Sequence, residues 1–346
     1  MVQNASDLVA GEKVMKVLVT GTAGLLGHDV WKLFEAKHEL VALGRTQAPW
    51  VDRPRFRECD LTNAALTYAL VTKENPEVIV HCAAYNNVDG AEADPEAAYR
   101  GNALATRNLA LACQRFDATL VSLSTDYVFD GSNAPADGYR EFDPCSPKGR
   151  YAESKRWAEI FIERLLNKYF IVRTSWLFGP ARTTWVDRVM ELANEDKPIH
   201  AALDMISSPT YTPDLAQALL RLTESRHYGI YHLSNHDFCS RVELAQEILK
   251  IHKRTDYKHL QRVTRPELRL PAPRPSFSGL DNLAWRLDGF APLRSWKEAL
   301  REHFSTPSPG LRPPSPLSRE RDVIPPSPYL REKGSGDEGE NQRTLP

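Results

Sequence analysis

No apolar run in this chain approaches the roughly 18–20 residues of a membrane-spanning helix, and residues 1–14 lack the apolar stretch of a secretory leader. Neither sign of charge dominates. Forty-four lysines and arginines against 45 acids leave a formal charge of −1, so no basic field exists to recruit nucleic acid. Cysteine is scarce as well. The five thiols, Cys59, Cys82, Cys113, Cys145 and Cys239, are dispersed without metal-ligand spacing or a pairing pattern. Neither a zinc site nor a disulfide scaffold is expected, and scattered unpaired thiols fit a reducing, cytoplasmic setting.

What is present is a chain of 346 residues, long enough for a sizeable core. Its ends differ from its middle. The stretch Met15-Lys-Val-Leu-Val-Thr-Gly21 reads as the start of a domain, so residues 1–14 are expected to be a disordered extension. From residue 305 onward the chain becomes rich in Pro, Ser, Arg, Gly and Glu, and nine of the 25 prolines lie there. That tail carries an imperfect repeat, Pro313-Pro-Ser-Pro-Leu-Ser-Arg-Glu320 and Pro325-Pro-Ser-Pro-Tyr-Leu-Arg-Glu332. Such a composition cannot bury enough apolar surface to offset its ordering entropy, and residues 305–346 are expected to be disordered and without function.

Between the ends, β-rich and amphipathic helical segments alternate, which predicts an α/β fold with a doubly wound parallel sheet and right-handed crossovers. Residues 16–19 form a short β-rich run. They are followed by Gly21-Thr-Ala23-Gly24-Leu25-Leu26-Gly27 and an amphipathic helix. Glycines there allow a tight turn and a close approach to a pyrophosphate, while the helix N-terminus offers N–H groups to the anion. After the second strand comes Arg45, where a dinucleotide site selective for NAD would often carry an acid; arginine suits a 2′-phosphate and favours NADP. Asp60 and Leu61 follow the next strand, placed to meet the adenine. Val78-Ile-Val-His-Cys-Ala83-Ala84 is a buried strand whose small C-terminal residues, with Asn86 just beyond, leave room for a cofactor. Asn102 sits inside a helix expected over residues 96–116, a poor choice there unless its amide is used.

A further buried strand ends in Ser124-Thr125-Asp126-Tyr127, at the strand end where ligands of such sheets bind. Tyr151 and Lys155 are four residues apart on a predicted helix and so share one face. A phenol there can exchange a proton with a carbonyl or alcohol, and a neighbouring ammonium is expected to lower its pKa. Ser240-Arg-Val-Glu243 has the pattern of a capping box.

In chain order, Gly21-x-x-Gly24-x-x-Gly27, Ser124-Thr125-Asp126 and Tyr151-x-x-x-Lys155 resemble the extended short-chain dehydrogenase/reductases. More narrowly, Ser124-Thr-Asp-Tyr-Val-Phe-Asp-Gly131, Arg173-Thr-Ser-Trp-Leu-Phe-Gly179, Ser208-Pro-Thr-Tyr-Thr212 and Arg274-Pro275 look like the dTDP-4-dehydrorhamnose reductase family, over residues 15–304. The resemblance implies a Rossmann sheet with a smaller interleaved substrate domain. It implies hydride transfer from NADPH, or from NADH, to C4 of a dTDP-4-keto-6-deoxy sugar. Tyr151 would give the proton, Lys155 would lower its pKa and hold the nicotinamide ribose, and Thr125 would polarise the C4 oxygen. Ser124 would join the cofactor set, and Asp126, Tyr127, Trp176 and Arg274 would line the sugar nucleotide. A homodimer and a Mg²⁺ ion, its site not located, are also implied. Residues 15–173 would form the NADP-binding domain, with a returning segment at about 205–233; residues 174–204 and 234–304 would form the substrate domain.

Three positions depart from the family pattern: Gly90 where lysine is usual, Asp204-Met-Ile-Ser207 where Asp-Gln-x-Gly is usual, and Phe277 near a usual asparagine. All three fall where the sugar nucleotide would bind. Two other functions therefore stand beside the first: a reductase or epimerase of another nucleotide sugar, and a non-catalytic NADP-binding regulatory subunit resembling the β subunit of methionine adenosyltransferase.

Overall fold

A computed structural model describes residues 13–305; the expectations for the two ends of the chain otherwise lie outside the described residues. The first half runs β1 (Lys16–Thr20), α1 (Leu25–Phe34), β2 (Glu39–Gly44), β3 (Phe56–Glu58), α2 (Ala64–Glu74) and β4 (Val78–His81). It continues with α3 (Val88–Ala93), α4 (Pro95–Tyr99), α5 (Ala105–Phe116), β5 (Thr119–Thr125), α6 (Arg150–Leu165) and β6 (Tyr169–Thr174). The helix expected over residues 96–116 is interrupted: a π-helical turn at Arg100–Leu104 joins α4 to α5, and Asn102 lies in it. Such bulges collect at functional sites because they re-aim one side chain.

The second half adds β7 (Leu177–Phe178), α7 (Trp185–Asn194), β8 (Ile199–Ala202), β9 (Ile206–Ser207), β10 (Thr210–Tyr211) and α8 (Thr212–Glu224). Next come β11 (Gly229–His232), β12 (Cys239–Ser240), α9 (Arg241–Ile251) and β13 (Leu260–Val263). Seven strands pair in the order β11-β6-β5-β4-β1-β2-β3, every neighbour parallel.

Both faces of the sheet are covered, so its strands read as near-continuous apolar runs. Successive side chains still alternate between two cores. Val17 and Val19 pack with Val30 and Phe34 of α1 and Leu215 and Leu219 of α8. Leu18 packs the other way, with Val71 of α2, Leu109 of α5 and Ile162 of α6. A third core, with Phe178, Val189, Ile199, Val242, Ile248 and Trp296, belongs to the second lobe. Residues 206–211 pair with that lobe, β9 on β12 and β10 on β7. The chain thus rejoins the sheet through α8 and β11. The Ser240–Glu243 capping box is present, Ser240 N donating to Glu243 Oε2 at 2.7 Å and Glu243 N to Ser240 Oγ at 3.1 Å. It fixes Arg241 as the first residue of α9.

Candidate active site

The strand order reverses between β1 and β4, the place in a doubly wound sheet where a crevice opens at the strands' C-terminal ends. The glycine turn closes on that crevice. Gly21 has φ of +69°, and a Cβ on it would lie 2.6 Å from Ala83 N; one on Gly27 would lie 2.1 Å from Gly21 O. The turn therefore brings β1 and the end of β4 closer than any side chain allows. Gly24 caps α1 without a side-chain hydrogen bond, and no acid lies in the helix's first turn. An uncapped N-terminus of this kind fits a pyrophosphate, and the residues present fit a dinucleotide.

The remaining expected cofactor residues divide in their placement. Leu25 and Asn86 line a cavity beside the turn, whereas Leu26 is buried in the core. Arg45 directly follows the C-terminal end of β2, and its charge reaches Asp60. Asp60 Oδ1 accepts from Thr62 N and Oγ1, both at 2.9 Å, so it also closes its own turn. Leu61 is buried and offers its carbonyl to Asn108 Nδ2 at 2.9 Å. Asn102 is fully engaged by protein: Oδ1 accepts from Tyr85 N at 2.8 Å, and Nδ2 donates to Tyr85 O at 3.1 Å and Ser154 Oγ at 2.9 Å. Its amide pins the loop after β4 to α6 rather than presenting itself to a ligand.

Tyr151 and Lys155 project from α6 towards the end of β5, as their spacing predicts. Their coupling differs from expectation. Lys155 Nζ donates to Leu123 O at 2.6 Å, because its stem bends to the strand carbonyl. Burial pushes the Tyr151 phenol above its ordinary value; hydrogen bonding with Thr125 opposes this, and the charges of Asp126 and Tyr127 add to it. The ammonium does not set the phenol here. Burial brings Lys155 itself down to about 8, against Glu159 and Cys82, which raise it. Tyr127 meets Tyr151 edge-to-face, ring centroids 6.4 Å apart.

Ser124 is committed elsewhere than expected. Its hydroxyl donates to Glu159 Oε1 at 2.5 Å, and Arg173 Nε and Nη2 hold the two Glu159 oxygens at 3.0 and 2.9 Å. Burial pushes the Glu159 carboxyl up, but Arg173, Ser124 and Arg156 outweigh it and hold it below its ordinary range. Sequence reasoning missed Glu159 as a site residue, although it stands one helical turn beyond Lys155.

Thr125 Oγ1 donates to Asp126 Oδ1 at 3.1 Å. Asp126 Oδ2 accepts from Ser207 Oγ at 2.9 Å and Ser278 Oγ at 2.5 Å. Both carboxylate oxygens are thus taken by hydroxyls, which ties β5 to the second lobe instead of lining a sugar site. Burial raises Asp126 to about 6, the three hydroxyls acting against it. Arg274 is held by Asp89, Nη1 to Oδ1 at 2.5 Å and Nη2 to Oδ2 at 2.8 Å. Trp176 stands between β6 and β7 with φ of +40°, and its Nε1 is buried near Tyr127 without a hydrogen bond of normal geometry.

The three departures have local reasons. A Cβ on Gly90 would meet Asn87 Nδ2 at 2.5 Å and Tyr85 Oη at 2.7 Å, so a side chain there would displace the ends of those two. Phe277 packs edge-to-face on Phe238, centroids 5.2 Å apart, and forms a bridge with Ile206. In the Asp204–Ser207 stretch, Ser207 supplies one of the hydroxyls on Asp126. Among the described residues no group of three or more His, Cys, Asp or Glu side chains is placed to hold a metal ion. No helix among them is long and apolar enough to cross a membrane.

Glycine turn, strand-end hydroxyls and helical Tyr-x-x-x-Lys on a seven-stranded parallel sheet define an extended short-chain dehydrogenase/reductase, a class of NAD- or NADP-dependent oxidoreductases. A family model described as RmlD substrate binding domain matches residues 15–307, and the chain belongs to that family. It is 35% identical over 290 residues to the spore coat polysaccharide biosynthesis protein SpsK of Bacillus subtilis strain 168, covering 84% of this chain and 96% of that protein. It is also 35% identical over 294 residues to dTDP-4-dehydrorhamnose reductase of Streptomyces griseus, covering 83% and 92%. The crystal structure of dTDP-4-dehydrorhamnose reductase from Bacillus anthracis in complex with NADP is similar with a TM-score of 0.77 at 35% identity, over 85% of this chain and 99% of that one.

Proposed function

We propose that this protein reduces the C4 keto group of dTDP-4-dehydro-L-rhamnose to dTDP-L-rhamnose, using NADPH in preference to NADH, in nucleotide-sugar and cell-surface polysaccharide biosynthesis. The observation that carries the reading is the half-buried Tyr151 phenol beside Thr125, at the end of β5. The turn Gly21, Ala23, Gly24, Leu25 and Gly27 holds the pyrophosphate, with Arg45 and Asp60 at the adenosine end and Ala83, Ala84 and Asn86 along the nicotinamide path. When bound, the dinucleotide supplies hydride to C4. Tyr151, its pKa raised by burial, stays protonated at neutral pH and donates its proton to the C4 oxygen as negative charge develops there. Thr125 Oγ1, adjacent to the phenol, turns to donate to the same oxygen. Lys155 holds positive charge behind the reacting centre, and Trp176, Tyr127 and Arg274 wall the sugar-nucleotide side.

Residues 15–173 with α8 and β11 act as the cofactor lobe and the rest of the described chain as the substrate lobe. Five unpaired thiols support a cytoplasmic setting. Exposed Leu111 and Trp157 on the neighbouring helices α5 and α6 support a homodimer.

The test is NADPH oxidation with a panel of nucleotide 4-keto sugars, NADH in parallel. Turnover should be fastest with the dTDP-linked 4-keto-6-deoxy-L-sugar. Faster turnover of a different nucleotide sugar assigns the chemistry but moves the substrate. Tight NADPH binding with no turnover of any sugar overturns the enzyme in favour of a regulatory subunit.

A further inference from the structure

Arg241 is the unusual charge of the second lobe. Its guanidinium lies 3.6 Å from the ring centroid of Trp176 and 4.7 Å from that of Trp185. The three side chains line a cavity of about 380 Å³, together with Leu25, Asn86 and Thr184. Most arginines placed as deeply have an acid. Arg173 has Glu159, Arg274 has Asp89 and Arg294 has Asp214. Among the described residues no carboxylate forms an ion pair or hydrogen bond with Arg241; the nearest acid to influence it, Asp126, is enclosed by three hydroxyls. Arg274 adds a second positive charge nearby.

Two further features mark the wall as built for a ligand. Trp176 is held at positive φ, a conformation that strains a non-glycine residue and that collects at functional sites. Its indole N–H is buried and has the Tyr127 phenol near it, without a hydrogen bond of normal geometry. Burial brings Arg241 down to about 10, with Tyr127 opposing the shift, so the guanidinium remains charged at neutral pH. A planar cation stacked on indole rings keeps its edge N–H groups for an acceptor in the ring plane. A phosphoanion matches that edge in charge and in geometry.

Resting on the reductase reading above, we infer that Arg241, clamped between Trp176 and Trp185, binds the diphosphate of the nucleotide-sugar substrate and selects nucleoside-diphosphate sugars over uncharged ones. It is a binding residue, separate from the proton donor: its position on α9 is set by the Ser240–Glu243 cap, not by α6. The cavity runs from Arg241 in the substrate lobe to Leu25 and Asn86, which the reading above gives to the cofactor, so a diphosphate held at Arg241 lies on the substrate side of it.

The test is calorimetric titration of the NADP-loaded full chain with dTDP, UDP, GDP and thymidine, for wild type, Arg241→Gln and Arg241→Lys. Arg241→Gln should weaken dTDP at least tenfold, with thymidine and NADPH affinities unchanged and KM for the sugar nucleotide raised more than kcat is lowered. Arg241→Lys should recover part of the loss, since it restores charge without the planar fork. Unchanged dTDP affinity in Arg241→Gln overturns the inference. So does equal weakening of dTDP and thymidine, which means packing alone, or a wild type that binds no nucleoside diphosphate. If UDP or GDP binds in place of dTDP, still dependent on Arg241, the diphosphate site stands and only the dTDP reading falls.

Discussion

The two walls of the cleft are satisfied to different degrees. On the sheet side, polar groups around Tyr151 already have protein partners: Lys155 on Leu123, Ser124 on Glu159, Thr125 on Asp126, Asn102 on Tyr85 and Ser154. On the opposite side, Arg241 is stacked on Trp176 and Trp185, and among the described residues no carboxylate pairs with it. The first wall is largely preorganised, and of these groups only the Thr125 hydroxyl has to turn when charge develops at the reacting oxygen. The second is complete only with an anion in it. Chemistry and selectivity are thereby assigned to different lobes, and each can be disturbed alone.

The largest disturbance on the sheet side is Glu159→Ala. It leaves Arg173, 2% exposed, as an unpaired buried charge, at a cost of about 3–5 kcal/mol. Urea unfolding measures this, and a loss under about 1 kcal/mol would show that the pair is not what supports Ser124 and β6. Next is Tyr151→Phe, expected to lower kcat by roughly a hundredfold or more, about 2.7 kcal/mol, with the melting temperature kept. Near-wild-type turnover in that variant removes Tyr151 as the proton donor.

A third prediction concerns pH. Asp126 is raised to about 6 in the folded chain, against about 3.9 when unfolded. Its contribution to stability is full below about pH 4 and is lost as pH rises through 6, on the order of 3 kcal/mol. Asp126→Asn should flatten this part of the stability–pH profile relative to wild type; parallel profiles would mean that Asp126 titrates normally. The smallest effect is expected at the cofactor's far end. Arg45→Asp should shift the NADPH-to-NADH preference by about tenfold towards NADH, read as the ratio of kcat/KM values, and an unchanged ratio would place the 2′-phosphate elsewhere.

Much of the sheet was legible in the sequence because its signals are local. A β-branched run flanked by glycine turns makes a strand, and Gly21, Gly24 and Gly27 mark a turn too tight for side chains whatever surrounds it. The Ser240–Glu243 cap is legible for the same reason, its partners being three residues apart. Asn102 was recognised as a misfit in a helix, but not that its partners would be Tyr85 and Ser154. The family resemblance puts Asp126 at the sugar; Ser207 and Ser278, 81 and 152 residues away in sequence, hold its carboxylate.

By itself the sequence determined the parallel α/β class, the dinucleotide turn and the pairing of Tyr151 with Lys155 on one helical face. Each follows from spacing within a few residues. Only the tertiary structure decided what those groups experience. Burial, not Lys155, sets the Tyr151 phenol, and long-range packing leaves Arg241 between two tryptophans with no carboxylate of the described residues paired to it. Desolvation and charge pairing depend on which distant segments come together, and that information is not carried by any local pattern.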